Sequence, residues 1–434
     1  MPDIHKLYEH YLACTAVSTD TRNIVPGSLF FALKGDNFNA NAFAAQALEK
    51  GASYVVVDEA EYQLNERCLL VPDVLEALQE LSKYHRSQLN IPFIGLTGSN
   101  GKTTTKELIK AVLAEKYKVF ATKGNLNNHI GVPLSLLSIT KDIELAVIEM
   151  GANHQKEIEF LCSLSQPTHG LITNVGMAHL EGFGGFEGVK KGKAELYAFL
   201  KHNNGEVFMN HNNADLMEMA AAHRLEKLVY YGTDRNNRIS GHLLRADPFL
   251  AFNWTHAGAT YTAQANLTGS YNFENCLAAI CIGNYFGLTA VEINRGLENY
   301  HPSNNRSQLT KTADNTLICD FYNANPSSMT AALQNLSTLT GDTKVAILGD
   351  MFELGDTSAA QHELIINKAI EAKLKKVIFI GKNFYAFKEQ YSGFLFFETP
   401  ADADVYLATH PLKEKLILLK GSRGMALEKL MPRL

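Results

Sequence analysis

A chain of 434 residues, 46% hydrophobic and 20% charged, has the composition of a folded globular protein and is long enough for about three domains at roughly 150 residues each. Its 40 basic and 45 acidic residues leave a formal charge of −5, which gives no electrostatic reason to expect nucleic acid or an anionic membrane as partner. Six Cys without a C-x-x-C pair or zinc-type spacing read as reduced core thiols, which sets aside a disulfide scaffold and a structural zinc site.

The opening MPDIHKLYEHYL lacks the apolar core of a signal peptide, and runs such as CLAAICIG fall far short of a bilayer, so the expectation is a cytoplasmic protein without membrane insertion. Residues 1–88 alternate short apolar strands (SLFFAL, SYVVVD, CLLVP) with Ala-rich helical stretches, which predicts a small α/β unit. From residue 89 the runs PFIGLTG, LAVIEMG, HGLITNVG and EVFMN are apolar on both faces, the mark of a parallel sheet covered by helices on each side. LVYYG, RISGHLLR, AFNWTHAG and TYTAQANL alternate instead and predict antiparallel strands added to that unit. HPSNNRSQ reads as a linker, placing a boundary near residue 302. TLICDFY, KVAILGD, KVIFIGK and LILLKG then form a third α/β unit over 303–434.

Chemistry gathers where strands end. GLTGSNGKTTTKE at 95–107 follows a strand and opens a helix, which aims backbone N–H groups at an anion. The general phosphate-loop pattern wants a Gly where Leu96 stands, so the loop is one residue longer than that pattern. A solvated turn that happens to carry Lys is the plain alternative. Glu149 ends the strand LAVIE, where an uncompensated carboxylate is costly, so it needs a cation or strong donors; Mg²⁺ shared with Thr103 and nucleotide phosphates would meet that need, as would a salt bridge or cap. Asn174 ends GLIT. His179 has the plain reading of a hydrogen-bonded loop residue, and Lys190, Lys191 and Lys193 that of a solvated basic face, which covers Lys190 and Lys191 well, while periodicity alone does not pick out Lys193 as different. DFYNANPSSM, LGDMFELG and KGSRGM put further polar turns after the strands of the third unit.

Together these stretches resemble the Mur ligases, nearly end to end: STDTR and GSLFFALKG in the first unit; TGSNGKTTTKE, GNLNNHIGVPLSLL, EMGAN, TNVGMAHLEGFG and KAE in the second; DFYNANPSSM, LGDMFELG and KGSRGM in the third. The extra loop residue becomes a mark of that family. The resemblance implies a three-domain architecture with a central parallel-sheet P-loop ATPase domain and a C-terminal Rossmann-like domain. Within the family it is nearest the branch that adds D-alanyl-D-alanine to UDP-N-acetylmuramoyl-tripeptide, with ATP and an acyl phosphate, in peptidoglycan precursor synthesis. Two sister readings share the ATP machinery: a ligase adding a single amino acid, and a folylpolyglutamate synthetase. A regulatory nucleotide-binding module is the reading from another class.

Carried residue by residue, the resemblance implies that Gly98, Ser99, Asn100, Gly101, Lys102, Thr103 and Thr104 hold the ATP phosphates. Thr103 and Glu149 would be ligands of a first Mg²⁺, and His179 of a second supported by Lys193 as a carbamate. Asn275 would contact adenine, Arg306 would reach the phosphates, and Asp320 and Asp350 would face the nucleotide from the third unit. Asp20, Thr21 and Arg22, with Asn125 and Asn128, would bind the uridine substrate, and Asn325 the dipeptide acceptor. The chain departs from the family in DNFNANAF after ALKG, and in Lys156, where Gly is commoner. No heptad or apolar stripe calls for assembly, so a monomer is expected.

Overall fold

The computed structural model describes residues 3–341, 343–374 and 376–434. The first sheet has four parallel strands in the order Val17–Ser18, Leu29–Phe31, Tyr54–Val57, Cys68–Leu70. Helix Val74–Ser87 follows, its N-terminus capped by Asp73, whose carboxylate accepts from the Glu76 amide at 2.7 Å. Near its end, Arg86 joins this unit to the next. Its guanidinium donates to the carbonyls of Ser165, Leu89 and Gln166 at 2.8–2.9 Å and lies 3.7 Å from the centre of the Phe93 ring.

Nine strands make the central sheet, ordered Ala259–Ala265, Leu250–His256, Ile239–Arg245, Leu228–Gly232, Glu206–Asn210, His169–Ile172, Phe93–Thr97, Leu145–Glu149, Val119–Ala121. Phe93–Thr97 lies between the two strands that next carry chemistry, with Leu96 beside Glu149 on one side and Thr97 beside Ile172 on the other. From Phe93–Thr97 the chain runs to the edge strand Val119–Ala121, comes back to its neighbour Leu145–Glu149 and then crosses to His169–Ile172 on the other side. This is the switch in strand order outside whose carboxyl ends open α/β sheets form their crevice.

The direction expected for Leu228–Gly232 is corrected: it pairs parallel with Glu206–Asn210, and antiparallel pairing begins only between Ile239–Arg245 and Leu250–His256. Alternating and aromatic residues report a half-covered strand but not its direction. The helical crossover Ala214–Ala222 decides that. Val119–Ala121, three residues long, carries too little pattern to have been read at all.

Six strands form the third sheet, in the order Gln308–Lys311, Thr316–Cys319, Leu416–Lys420, Lys344–Gly349, Lys376–Ile380, Leu395–Phe397, all parallel except the first. Four were expected from apolar runs. The two edge strands escaped notice because Gln308–Lys311 is polar and begins inside the stretch read as linker, while Leu395–Phe397 has three residues. Among the described residues no helix is long and apolar enough to cross a membrane.

Candidate functional site

Between the central and third sheets lies a cavity of about 930 Å³. Its central wall starts at the loop after Phe93–Thr97. Gly98 has φ +144°, and a Cβ there would stand 2.0 Å from the Thr173 hydroxyl, so no other residue fits without moving the neighbouring strand end. Thr173 donates to the Asn100 carbonyl at 2.6 Å, and Asn174 accepts from the Asn100 amide at 3.0 Å and donates to its carbonyl at 3.1 Å. Ser99 and Gly176 exchange two bonds. The loop is therefore held in place by the adjacent strand, with Gly101 (φ +77°) turning the chain into helix Lys102–Leu113.

The Lys102 ammonium folds back onto the carbonyls of Gly98 (2.7 Å) and Ser99 (3.3 Å). Burial pushes it down to about 8, Glu149 opposing that shift and Arg306 adding to it. Glu149 is 1% exposed. Its Oε1 accepts from Thr103 at 3.2 Å and Asn127 at 2.9 Å, Lys106 Nζ stands 3.3 Å from Oε2, and Oε2 accepts no hydrogen bond. A buried strand-end carboxylate whose second oxygen has only the Lys106 ammonium beside it, outside hydrogen-bond geometry, fits the hard-oxygen chemistry of Mg²⁺, which takes one or two protein carboxylates and fills its shell from phosphates and water. No three His, Cys, Asp or Glu among the described residues form a cage of their own.

From the linker, Arg306 enters the cavity with its guanidinium 3.8 Å from the Tyr322 ring centre and its Nε buried and unpartnered. Asn275 lines the far side, against Gly101, and donates to Asn272 at 2.8 Å. Asp320 also lines the cavity, but as a staple: it takes Lys420 Nζ at 2.7 Å and the Ser307 amide at 3.1 Å. Asn325 caps helix Pro326–Thr338 through Oδ1 and gives Nδ2 to the Asn100 side chain at 2.8 Å, while Ser327 accepts from the Met177 amide at 3.2 Å. His179 (φ +53°) meets the carboxylate of Glu353 (φ +62°) from the third unit.

Ser99, Asn100, Gly101, Lys102, Thr104, Asn125, Asn128, Glu149, His179, Asn275, Arg306, Asp320 and Asn325 thus face one space. Thr103 lies just behind it, on Glu149. Lys193 is 1% exposed, 3.5 Å from the Ala152 carbonyl and over the Phe183 ring; Lys190 is buried as well, on Asp215 and Glu218, so the solvated reading is corrected for both. Burial, and then the charge of Lys102, drive the Lys193 ammonium far below the usual lysine range, with Glu157 and Glu195 opposing.

Asp350 does not line the cavity. It is 3% exposed and accepts from the amides of Asn383 and Phe384 at 2.9 and 3.0 Å, so its carboxylate is consumed by backbone instead of facing a nucleotide. Asp20, Thr21 and Arg22 are also outside it. Asp20 and Arg22 pair with each other on the surface. The divergent turn after Gly35 is ordered by Asn41, which donates to Asp58 at 2.8 Å. Lys156 has φ +73°, a left-handed backbone that explains the commoner Gly. Asn127, Lys106, Tyr322 and Glu353 were missed: nothing in the spacing of Asn, Lys or Glu along a helix or turn shows which one turns inward.

A parallel sheet with a glycine turn at its switch point, a lysine folded over that turn, a strand-end carboxylate beside it and a second sheet closing the space define a P-loop α/β enzyme with a two-sided cleft. Residues 14–86 match the Mur ligase family catalytic domain, 96–283 the Mur ligase middle domain and 305–423 the Mur ligase glutamate ligase domain. The UDP-N-acetylmuramoyl-tripeptide--D-alanyl-D-alanine ligase of Escherichia coli is 37% identical over 95% of this chain and 92% of its own, and that of Bacillus subtilis 35% identical over the same shares. The crystal structure of MurF from Acinetobacter baumannii superposes with TM-score 0.88 at 30% identity, covering 99% of this chain and 97% of that one. The chain belongs to the Mur ligase family.

Proposed function

We propose that this chain is a cytoplasmic ATP-dependent ligase that joins D-alanyl-D-alanine to UDP-N-acetylmuramoyl-tripeptide, and that it acts as a monomer. The observation that carries the reading is likeness over almost the whole chain to ligases of that name, and the cleft supplies the chemistry. A carboxylate oxygen of the tripeptide attacks the γ-phosphorus of ATP and ADP leaves. The dipeptide amine then attacks the acyl carbon of the resulting acyl phosphate, phosphate leaves, and the amine nitrogen gives up a proton.

Two anions must meet in the first step, so cationic groups have to be in place beforehand. Lys102 and the amides of Gly98–Thr104 would hold the β and γ phosphates, and the unpartnered Arg306 Nε would take a phosphate oxygen from the opposite wall. Thr103 and Glu149 would hold one Mg²⁺, and His179 with Lys193 as a carbamate a second; when bound, the ions neutralise phosphate charge. Burial favours the neutral Lys193 amine, the form that can add CO₂. Asn275 would face adenine, Asp320 would keep the linker against the nucleotide, and Asn325, joined to Asn100 across the cleft, would border the dipeptide. Residues 1–88 would bind the uridine nucleotide through Asp20, Thr21 and Arg22, helped by Asn125 and Asn128. Closure of the third unit excludes the water that would hydrolyse the acyl phosphate.

The test is phosphate release with ATP, Mg²⁺ and UDP-N-acetylmuramoyl-tripeptide while the acceptor is varied. Release that requires D-alanyl-D-alanine is expected. Release driven by a single amino acid, or by glutamate with a folate, would transfer the chain to a sister activity, and release without any acceptor would remove it from the ligases.

A further inference from the structure

Lys106 lies one helical turn beyond Lys102 on helix Lys102–Leu113 and does not line the cavity. Its side chain is 2% exposed, and that of Glu149 is 1% exposed. An ammonium is seldom so deeply buried without a partner of opposite charge. The partner here is Glu149 Oε2, 3.3 Å away, and the nearest other acceptor is the Gly124 carbonyl at 3.4 Å. The remaining groups on Glu149, the Thr103 hydroxyl and the Asn127 amide, are neutral. Glu149 thus stands between the cavity, where Lys102 lies, and a second cation behind it.

We infer that Lys106 is a positioning residue, a built-in counter-ion that holds the Glu149 carboxylate in place before nucleotide arrives and makes divalent-metal binding there depend on the phosphates. This rests on the proposed role of Glu149 as a Mg²⁺ ligand. Without Lys106 the buried carboxylate has no cation of its own on that side, which destabilises the fold and attracts any divalent ion. With it, a second cation near Glu149 meets like-charge repulsion that the phosphate oxygens of a nucleotide offset. The metal then enters and leaves with the nucleotide and is not held by the empty site.

The test uses the full chain without nucleotide. Lys106→Met is melted in chelator and again in Mg²⁺, and Mn²⁺ affinity is measured by electron paramagnetic resonance. The melting temperature of Lys106→Met is expected to fall in chelator and recover by several degrees in Mg²⁺ alone, while the unsubstituted chain shows no such response. Mn²⁺ binding to the variant is expected to be about tenfold tighter or more. Lys106→Arg should behave as the unsubstituted chain. The double variant Lys106→Met with Glu149→Gln, which removes both charges, should fold and ignore metal even if Lys106→Met alone does not fold.

A Lys106→Met chain that melts equally in chelator and Mg²⁺ overturns the inference, as does a double variant that retains the metal response or fails to fold. Acceptor-dependent phosphate release by the unsubstituted chain is scored separately. If that release is missing while Mg²⁺ still rescues Lys106→Met, the ligase reading falls and the counter-ion stands.

Discussion

On the central wall of the cavity, Ser99 and Asn100 are tied by backbone and side-chain bonds to Thr173, Asn174 and Gly176, and Glu149 and Lys106 nearby are buried. On the wall formed by the third sheet, contact across the cleft runs through a few polar groups, Asn325 to Asn100, Ser327 to Met177 and Glu353 to His179. The first wall is cross-tied because most of the polar groups of its loop find partners on the adjacent strand end. Among the described residues the second is held across the cleft by only three polar contacts, and the neutral ones exchange for water at a net difference of about 1 kcal/mol each. The phosphate site proposed on the first wall would need no closure to be built, whereas the proposed three-substrate site spans both walls.

Substitutions on the two walls should fail differently. Lys102→Ala is expected to abolish ATP turnover, by about 10³-fold or more, and to leave binding of the UDP substrate nearly unchanged in calorimetry; loss of both would mean a damaged fold. Lys193→Ala should be comparably inactive, yet regain phosphate release when short carboxylic acids are added. Gly98→Ala, whose Cβ would collide with Thr173, should lower stability by about 2 kcal/mol in denaturant titration together with activity. On the third-sheet wall Asn325→Ala removes one bridging bond, so the expected change is a rise of about tenfold in KM for the dipeptide with ATP binding preserved. If Asn325→Ala instead impaired ATP binding as severely as Lys102→Ala, the distinction between the walls would be lost.

The smallest effect lies away from the cleft. His85 donates to the Ile139 carbonyl at 2.9 Å and is held below its ordinary 6.5 by burial, with that bond opposing and Lys141 assisting. The unfolded chain therefore takes up a proton near pH 6.5 that the folded chain refuses. Stability present above that pH should be lost as the pH falls below it, down to the folded value. A denaturant midpoint that drops between pH 7.5 and 5.5, and drops less in His85→Gln, would show it.

Much was legible without coordinates wherever function is written in consecutive residues. The phosphate loop, Glu149 at a strand end and the polar turns of the third unit could all be read, because a turn or strand end dictates its own residue types locally. Lys193 shows the limit. Its neighbours along the helix suggested solvent, and only packing against Phe183 and Ala152 buried it. Asp350 shows the reverse, a strand-end acid that resembles a ligand group but spends its oxygens on two amides.

By itself the sequence determined the alternation of strands and helices, the three units and the loop that turns at Gly98 and Gly101, since these depend on local periodicity and on backbone freedom at single positions. The tertiary structure decided which strands became neighbours, and so which side chains converged on Glu149, and whether a given lysine met water or a carboxylate. Those outcomes depend on distances between residues far apart in the chain, and burial, which lowers the proton affinity of Lys102 and Lys193, exists only after the sheets have packed.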